Sequence, residues 1–430
     1  STEEPTLESV KTAVVTATAT ATTAPLPTST PLPPPEGQII FLWDSESMAE
    51  QYGALGPFQN LYVALPGESI SDWQIEPLLE NLVGWPKLVP SPDKTIFALN
   101  PLDDRNADGD ISQEGYNRGL DWPNIHVYSL LNNSLERVTS DYPQSLITTL
   151  NDNQIIANYF DQGLVVLNNN GTLARQLAPP FAERTEWIQP SPDRQQLAIN
   201  YETRQLHLLD TNSGEIKQAT QDIGGMIVKA VWSPDSQWVA VAQQATGEFF
   251  LIDAITAEVQ DVPNLGVTHY PTWSPYPAWS PDSQQVAVVQ ETPEGFNLLS
   301  YHLVDKVITV LLNTPAQVKD IIWSPDSSRI AISLWQDEGV TLGMVNTTTS
   351  QLDTLWFVPN SRRFSIHSWS PEGQWLIATV GEMPLFANKN EAFSGLYLVH
   401  KDTGETFQLL DTTGHYDPYA FTWLPAIKTP

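Results

Sequence analysis

Trp232-Ser233-Pro234-Asp235-Ser236 is the stretch on which the reading of this chain turns. It recurs as Trp279-Ser280-Pro281-Asp282-Ser283, as Trp323-Ser324-Pro325-Asp326-Ser327 and as Trp369-Ser370-Pro371-Glu372-Gly373. Pro90-Ser91-Pro92-Asp93 and Pro190-Ser191-Pro192-Asp193 are weaker copies, and Trp423-Leu424-Pro425 is a truncated one. Copies follow one another at roughly 42 to 54 residues, a period typical of propeller blades. The step from Ser91 to Ser191 is about twice as long, and a degenerate copy around Leu150-Asn151-Asp152 fills it.

The motif has a local physical meaning. Pro presets φ for the second position of a type I turn, Asp suits the third, and Ser or Gly the fourth. Each copy therefore marks a turn from one strand, a, to the next, b. Strand b follows at once, as in Trp238-Val239-Ala240-Val241-Ala242 and Gln285-Val286-Ala287-Val288-Val289. Such nearly continuous apolar runs are expected of strands buried on both faces. Strand c reads like Phe249-Phe250-Leu251-Ile252-Asp253, and strand d follows after a turn. No blade can bury both faces alone, and stacking in a ring solves this. Gln38-Ile39-Ile40-Phe41-Leu42-Trp43 reads as a strand b and Ala420-Phe421-Thr422-Trp423 as a strand a, so the two ends share one blade. The others start near Leu88, Leu146, Ile188, Ala230, Ala278, Ile321 and Ser368. The expectation is an all-β, eight-bladed β-propeller over residues 37–430, with seven blades as the alternative if the segment near Leu146 is no blade.

The Trp-Ser-Pro-Asp-Ser/Gly turns resemble those of TolB-type propellers, which are shared by the propeller domains of prolyl oligopeptidase-type peptidases. The resemblance covers residues 38–428. It implies a propeller that serves as a periplasmic interaction module, a gating domain or, less often, an enzyme. The peptidases carry their nucleophile on a separate hydrolase domain, and no Gly-x-Ser-x-Gly elbow occurs here, so peptidase activity is not implied.

Residues 1–36 differ from all that follows. Thr16-Ala17-Thr18-Ala19-Thr20-Ala21-Thr22-Thr23 is low complexity, and Pro25, Pro27, Pro31 and Pro33-Pro34-Pro35 come after it. Such a segment buries too little apolar surface to offset its ordering entropy and is expected to be a disordered, extended stalk. The chain has 50 acidic against 20 basic residues and a net charge of −30. That balance repels nucleic acid and anionic lipid and suits divalent cations or basic partners. With no cysteine, disulfides and thiolate metal sites are excluded. No apolar run spans a bilayer. The expected setting is extracytoplasmic, in a secreted or surface-tethered bacterial protein. Membrane attachment is expected only through a lipid anchor preceding Ser1.

Asp104-Arg105-Asn106-Ala107-Asp108-Gly109-Asp110-Ile111-Ser112 carries the strongest chemical pattern. Side-chain oxygens at the first, third and fifth positions (Asp104, Asn106, Asp108) converge, and Gly109 permits the sharp turn of a calcium loop. Asp110 would contribute its carbonyl and Ser112 a water-mediated contact. The twelfth position is Gly115, so Glu114 or Asp121 is expected to replace the usual bidentate Glu. Strands flank the loop in place of helices. The alternative is an acidic turn held by its own side-chain hydrogen bonds.

Strand order places the b-to-c and d-to-a loops on one face. Three b-to-c loops are long: 44–59, 101–123 and 381–395, on blades 1, 2 and 8. They carry Tyr52, Phe58, Trp122, Phe386 and Lys389, a candidate partner surface unless the loops pack on each other. The d-to-a loops add His269, Tyr270, Trp273, His415, Tyr416 and Asp417, with His367 ahead of Trp369. Three imidazoles approaching the axis could share a metal, but hydrogen-bonded structural histidines are the simpler expectation. The leading expectation is a calcium-stabilised module that binds a protein or a cell-envelope component. A polysaccharide lyase or hydrolase acting at the funnel, and a structural subunit of an extracellular assembly, are the alternatives.

Overall fold

The computed structural model describes residues 12–13, 34–44, 58–84, 86–104, 121–140, 145–151, 153–180, 185–201, 205–219, 227–243, 249–262, 277–361, 363–381, 395–412 and 418–424. They form eight blade sheets, each with four antiparallel strands in the order a-b-c-d, and one separate two-stranded hairpin. Blade 1 consists of Tyr419–Leu424, Gln38–Asp44, Phe58–Leu65 and Gln74–Val83; blade 2 of Leu88–Pro90, Ile96–Leu99, His126–Ser129 and Ser134–Arg137. Blade 3 is Ser145–Thr149, Ile155–Tyr159, Gly163–Leu167 and Leu173–Ala178; blade 4 is Thr185–Pro190, Gln196–Tyr201, Gln205–Asp210 and Ile216–Gln218. Blade 5 is Ile227–Trp232, Trp238–Gln243, Phe249–Asp253 and Val259–Asp261; blade 6 is Ala278–Trp279, Gln285–Thr292, Gly295–His302 and Val307–Thr314. Blade 7 is Gln317–Trp323, Arg329–Gln336, Gly339–Asn346 and Leu352–Pro359; blade 8 is Arg363–Trp369, Trp375–Gly381, Gly395–His400 and Thr406–Asp411. Within 1–36, Thr12–Ala13 lies parallel to Ile308–Thr309 on the outer strand of blade 6.

Packing closes the ring. Eight apolar clusters among the described residues each join one blade to the next, and one of them joins blade 8 to blade 1. Strand b of blade 6 shows how: Val286 and Val288 pack toward blade 5, Ala287 and Val289 toward blade 7. The two-residue period of a strand deals a continuous apolar run alternately to two seams. Each Val or Leu so buried contributes about 1.5–3 kcal/mol. Eight blades are found, as expected, and the segment at Ser145–Thr149 is a true strand a despite its degenerate turn. The shared blade is also found: Ile39 pairs with Trp423 and Ile40 with Thr422.

The turns repeat atom for atom. At Ser91, Ser191, Ser233, Ser280, Ser324 and Ser370, the amide three residues on donates to the Ser carbonyl at 2.8–2.9 Å. That fourth residue is left-handed, with φ between 57° and 67°. The Ser hydroxyl accepts the amide that opens strand b, and where the third residue is Asp it donates to Oδ1 at 2.6 Å. Neighbouring turns are tied as well. The amides of Asp193, Asp235 and Asp282 donate to the hydroxyls of Ser236, Ser283 and Ser327 in the next blade.

The motif tryptophans staple the seams. Trp232, Trp279 and Trp323 donate their indole N–H to the carbonyls of Gln189, Val231 and Ala278 in the preceding blade, at 3.2, 3.0 and 2.9 Å. Trp423 donates to Ser368 Oγ at 3.1 Å. Trp369, at the seam of blades 7 and 8, has no partner for its indole among the described residues. In the same blade Glu372 stands where other turns have Asp, and neither of its carboxylate oxygens has a hydrogen-bond partner among the described residues.

Candidate functional site

Two seams show that blades 8, 1 and 2 are consecutive. Trp375, Ile377, Leu396 and Leu398 pack on Ile39, Phe41 and Trp43, while Ile40, Leu42 and Leu61 pack on Phe97, Leu99 and Tyr128. The long b-to-c insertions expected on these blades therefore start from neighbouring strands on one face. Their interiors, with Tyr52, Phe386 and Lys389, lie outside the described residues, as do His269, Tyr270, Trp273, His415, Tyr416 and Asp417. Phe58 opens strand c of blade 1.

The insertion of blade 2 begins and ends as a hairpin, Leu102–Asp104 against Asp121–Pro123. Its register sets Asp104 opposite Asp121 and Asp103 opposite Trp122. The backbone thus brings the first acidic residue of the expected calcium loop beside the acidic residue that could replace its missing ligand. Asn106, Asp108, Asp110, Ser112 and Glu114 lie outside the described residues. Asp103 anchors the base of the hairpin: it receives Asn124 Nδ2 at 3.1 Å and pairs with Arg137 Nε at 3.1 Å. His126 Nε2 lies 3.7 Å from it.

The inner strands bulge. In blade 7 the pairing jumps from Val318 to Ile321, and in blade 8 from Ile366 to Ser368. A bulge re-aims the side chains of the unpaired residues, here Lys319, Asp320 and His367. Asp320 is strongly perturbed. Ser333 Oγ donates to its Oδ2 at 2.5 Å, and the Ile366 amide of blade 8 donates to the carboxylate as well. Burial outweighs these bonds and the nearby Lys319, pushing the carboxyl up to about 6. Lys319 Nζ lies 3.4 Å from the centroid of the Trp335 ring, a cation–π contact. Burial lowers the Lys319 pKa, and the Asp320 charge opposes that.

His367 sits inside strand a of blade 8 and not on a loop. Its Nε2 shares a 2.8 Å hydrogen bond with Thr379 Oγ1, and its ring lies 4.4 Å from that of Phe421 in blade 1. Burial pulls its pKa down to about 4, so the ring is neutral at pH 7. Among the described residues, no group of three or more His, Cys, Asp or Glu side chains could hold a metal.

Sequence reading found His367 but missed Lys319, Asp320, Ser333 and Trp335. A signal was present in Lys319-Asp320, a charged pair just before a motif tryptophan on an otherwise apolar strand. The bulge that exposes its meaning is a property of strand pairing and is invisible in the sequence.

No protein-family model matches the chain, and no curated protein matches it. Solved structures do. A eukaryotic initiation factor is 14% identical, with a TM-score of 0.58 over 92% of this chain and 99% of that one. Dihydro-heme d1 dehydrogenase NirN is 12% identical, with a TM-score of 0.55 over 92% of this chain and 77% of that one. TolB from Acinetobacter baumannii is 14% identical, with a TM-score of 0.38 over 76% of this chain and 82% of that one. At such identities, the likeness to the first two extends to the propeller fold and no further.

Proposed function

We propose that the protein is an extracytoplasmic binding module, carried on the Thr/Pro-rich segment 1–36 and tethered through a lipid ahead of Ser1. Its partner surface is the face that bears the insertions of blades 8, 1 and 2. The observation that carries this reading is the adjacency of those blades: three long insertions spring from neighbouring strands of one rigid ring. Loops displayed on a stiff scaffold are a common way to bind a macromolecule. The partner is a protein or a cell-envelope component. Capture from envelope extract by the full chain, lost when 44–58 and 382–394 are both shortened, is the expected result. Undiminished capture by the shortened chain would move the surface elsewhere.

Calcium at 104–121 stabilises the insertion of blade 2 in this reading, because dense carboxylates repel one another without a cation. The register of Asp104 and Asp121 supports it. Calcium is expected to raise the melting temperature and chelation to lower it, with both effects absent in Asp108→Asn. A melt indifferent to calcium would leave the acidic turn as the better account.

One observation favours a second reading, an enzyme of the lyase or hydrolase type acting on polysaccharide at the funnel. A carboxyl pushed to about 6 and an imidazole held neutral lie on neighbouring inner strands, and such perturbed pairs cluster at catalytic sites. Turnover of a glycan by the wild type, abolished in Asp320→Asn, would establish it.

A further inference from the structure

On blades 2 to 4, the inner strands carry a second polar feature with the opposite sign. Lys87 precedes strand a of blade 2, and its amide is fixed by Asn100 Oδ1 at 2.7 Å. Its Nζ crosses to blade 3 and donates to the carbonyls of Leu146 at 3.2 Å and Ile147 at 2.8 Å. Arg194 reaches the same strand from blade 4. It occupies the left-handed fourth position of its turn, where blades 5, 6 and 7 have Ser236, Ser283 and Ser327. Its Nη1 donates to Thr148 Oγ1. Two cations thus meet on three consecutive residues, Leu146, Ile147 and Thr148, at a bulged inner strand.

Neither cation has a carboxylate partner among the described residues: the ion pairs there involve Asp103, Asp305 and Asp402. Burial lowers the pKa of both, and the Arg194 charge lowers that of Lys87 further, with no acidic group among the described residues acting in opposition. In a chain with 50 acidic and 20 basic residues, two like charges brought together without a counterion are an unusual use of scarce cations. Three neutral acceptors satisfy part of their hydrogen-bonding capacity. Lys87 keeps one N–H and Arg194 keeps the other edge of its guanidinium fork. A bidentate oxyanion matches that residual donor set and relieves the repulsion.

We infer that Lys87 and Arg194 form an oxyanion site on the inner strand of blade 3, which takes a carboxylate or phosphate group. Lys87 comes from the d-to-a connection of blades 1 and 2, beside Asn100 at the base of the blade 2 insertion, and Arg194 from the a-to-b turn of blade 4; the inference does not depend on the function proposed above. The overall negative charge works against anions in general, so binding here rests on local geometry.

The test is calorimetric titration of the full chain with inorganic phosphate and, separately, with succinate, at about 0.15 M ionic strength so that long-range charge is screened. Saturable binding of one equivalent is expected for at least one probe, and which probe binds tells phosphate from carboxylate. Lys87→Met keeps the aliphatic stem, and Arg194→Ser installs the residue that three other blades carry. Each is expected to weaken binding at least tenfold, with Arg194→Lys keeping more affinity than Arg194→Ser. Lys217→Met, a distant lysine, is expected to bind as the wild type does. If Arg194→Ser fails to fold, Lys87→Met decides alone. No saturable heat with either probe, or unchanged affinity in Lys87→Met, would overturn the assignment.

Discussion

Asp320 and His367 titrate in opposite senses, and their signs can be worked out separately. The Asp320 pKa rises from 3.8 to about 6 on folding. Its contribution is therefore full below about 4 and is lost as pH rises through 6. The His367 pKa falls from 6.5 to about 4. Its contribution is full above about 6.5 and is lost as pH falls toward 4. Each shift corresponds to about 3 kcal/mol, and between pH 4 and 6 the two nearly cancel. Asp320→Asn should consequently lose more stability than the wild type between pH 7.5 and pH 5, by about 1 kcal/mol. His367→Gln, which can still bond Thr379, should instead gain about 1 kcal/mol over the same interval, because only Asp320 then titrates. Urea midpoints at the two pH values measure this, and parallel shifts in all three proteins would contradict it. At this scale the sequence was a partial guide. His367 stood out because histidine is rare, with 7 in the chain, but the carboxyl that titrates beside its strand is one of 50 acidic residues.

At the scale of the element, each turn is a small machine whose parts can be exchanged between blades. Five turns close a Ser–Asp hydrogen bond at 2.6 Å, and burial does not prevent Asp326 from falling to about 2 because that bond and the Ser328 donors favour its charge. Blade 8 has Glu372 instead, one methylene too long to close the same ring, and its oxygens have no hydrogen-bond partner among the described residues. Glu372→Asp should restore the bond to Ser370 and raise stability by about 1 kcal/mol, an increase visible in the thermal midpoint. Trp279→Phe keeps most of the buried area but removes the bond to Val231, leaving that carbonyl short of a donor. It should cost about 1–2 kcal/mol. A neutral result would mean that the indole serves the seam by area alone. The turn was legible from Pro, Asp and the small fourth residue, which report backbone angles locally. The staple was not, because the acceptor of each indole lies one blade away.

The whole molecule is held by a closed circuit of seams, and the closure depends on one short strand. Tyr419–Leu424 supplies strand a of blade 1, and Lys94 Nζ donates to the Trp423 carbonyl at 2.8 Å from blade 2. Removing residues 419–430 would strip the inner strand from blade 1 and expose apolar residues of two clusters at once. The truncated chain should lose its cooperative unfolding transition and not merely shift it, since blades stabilise one another only as neighbours in a ring. A transition that is lowered but still cooperative would show that seven complete blades suffice.

By itself the sequence determined the repeat and the shared terminal blade and favoured eight blades over seven, because turn chemistry and the two-residue apolar period are local properties that survive in any copy of the motif. It also pointed to the blades that bear the long insertions, since loop length is counted along the chain. The tertiary structure alone decided what lines the axis. Strand a bulges in six of the eight blades, and in blades 7 and 8 the bulge re-aims Lys319, Asp320 and His367. Asp320 thus meets Ser333 of its own blade and the Ile366 amide of blade 8, and Lys87 and Arg194 converge on blade 3 from either side, though more than a hundred residues separate them in sequence.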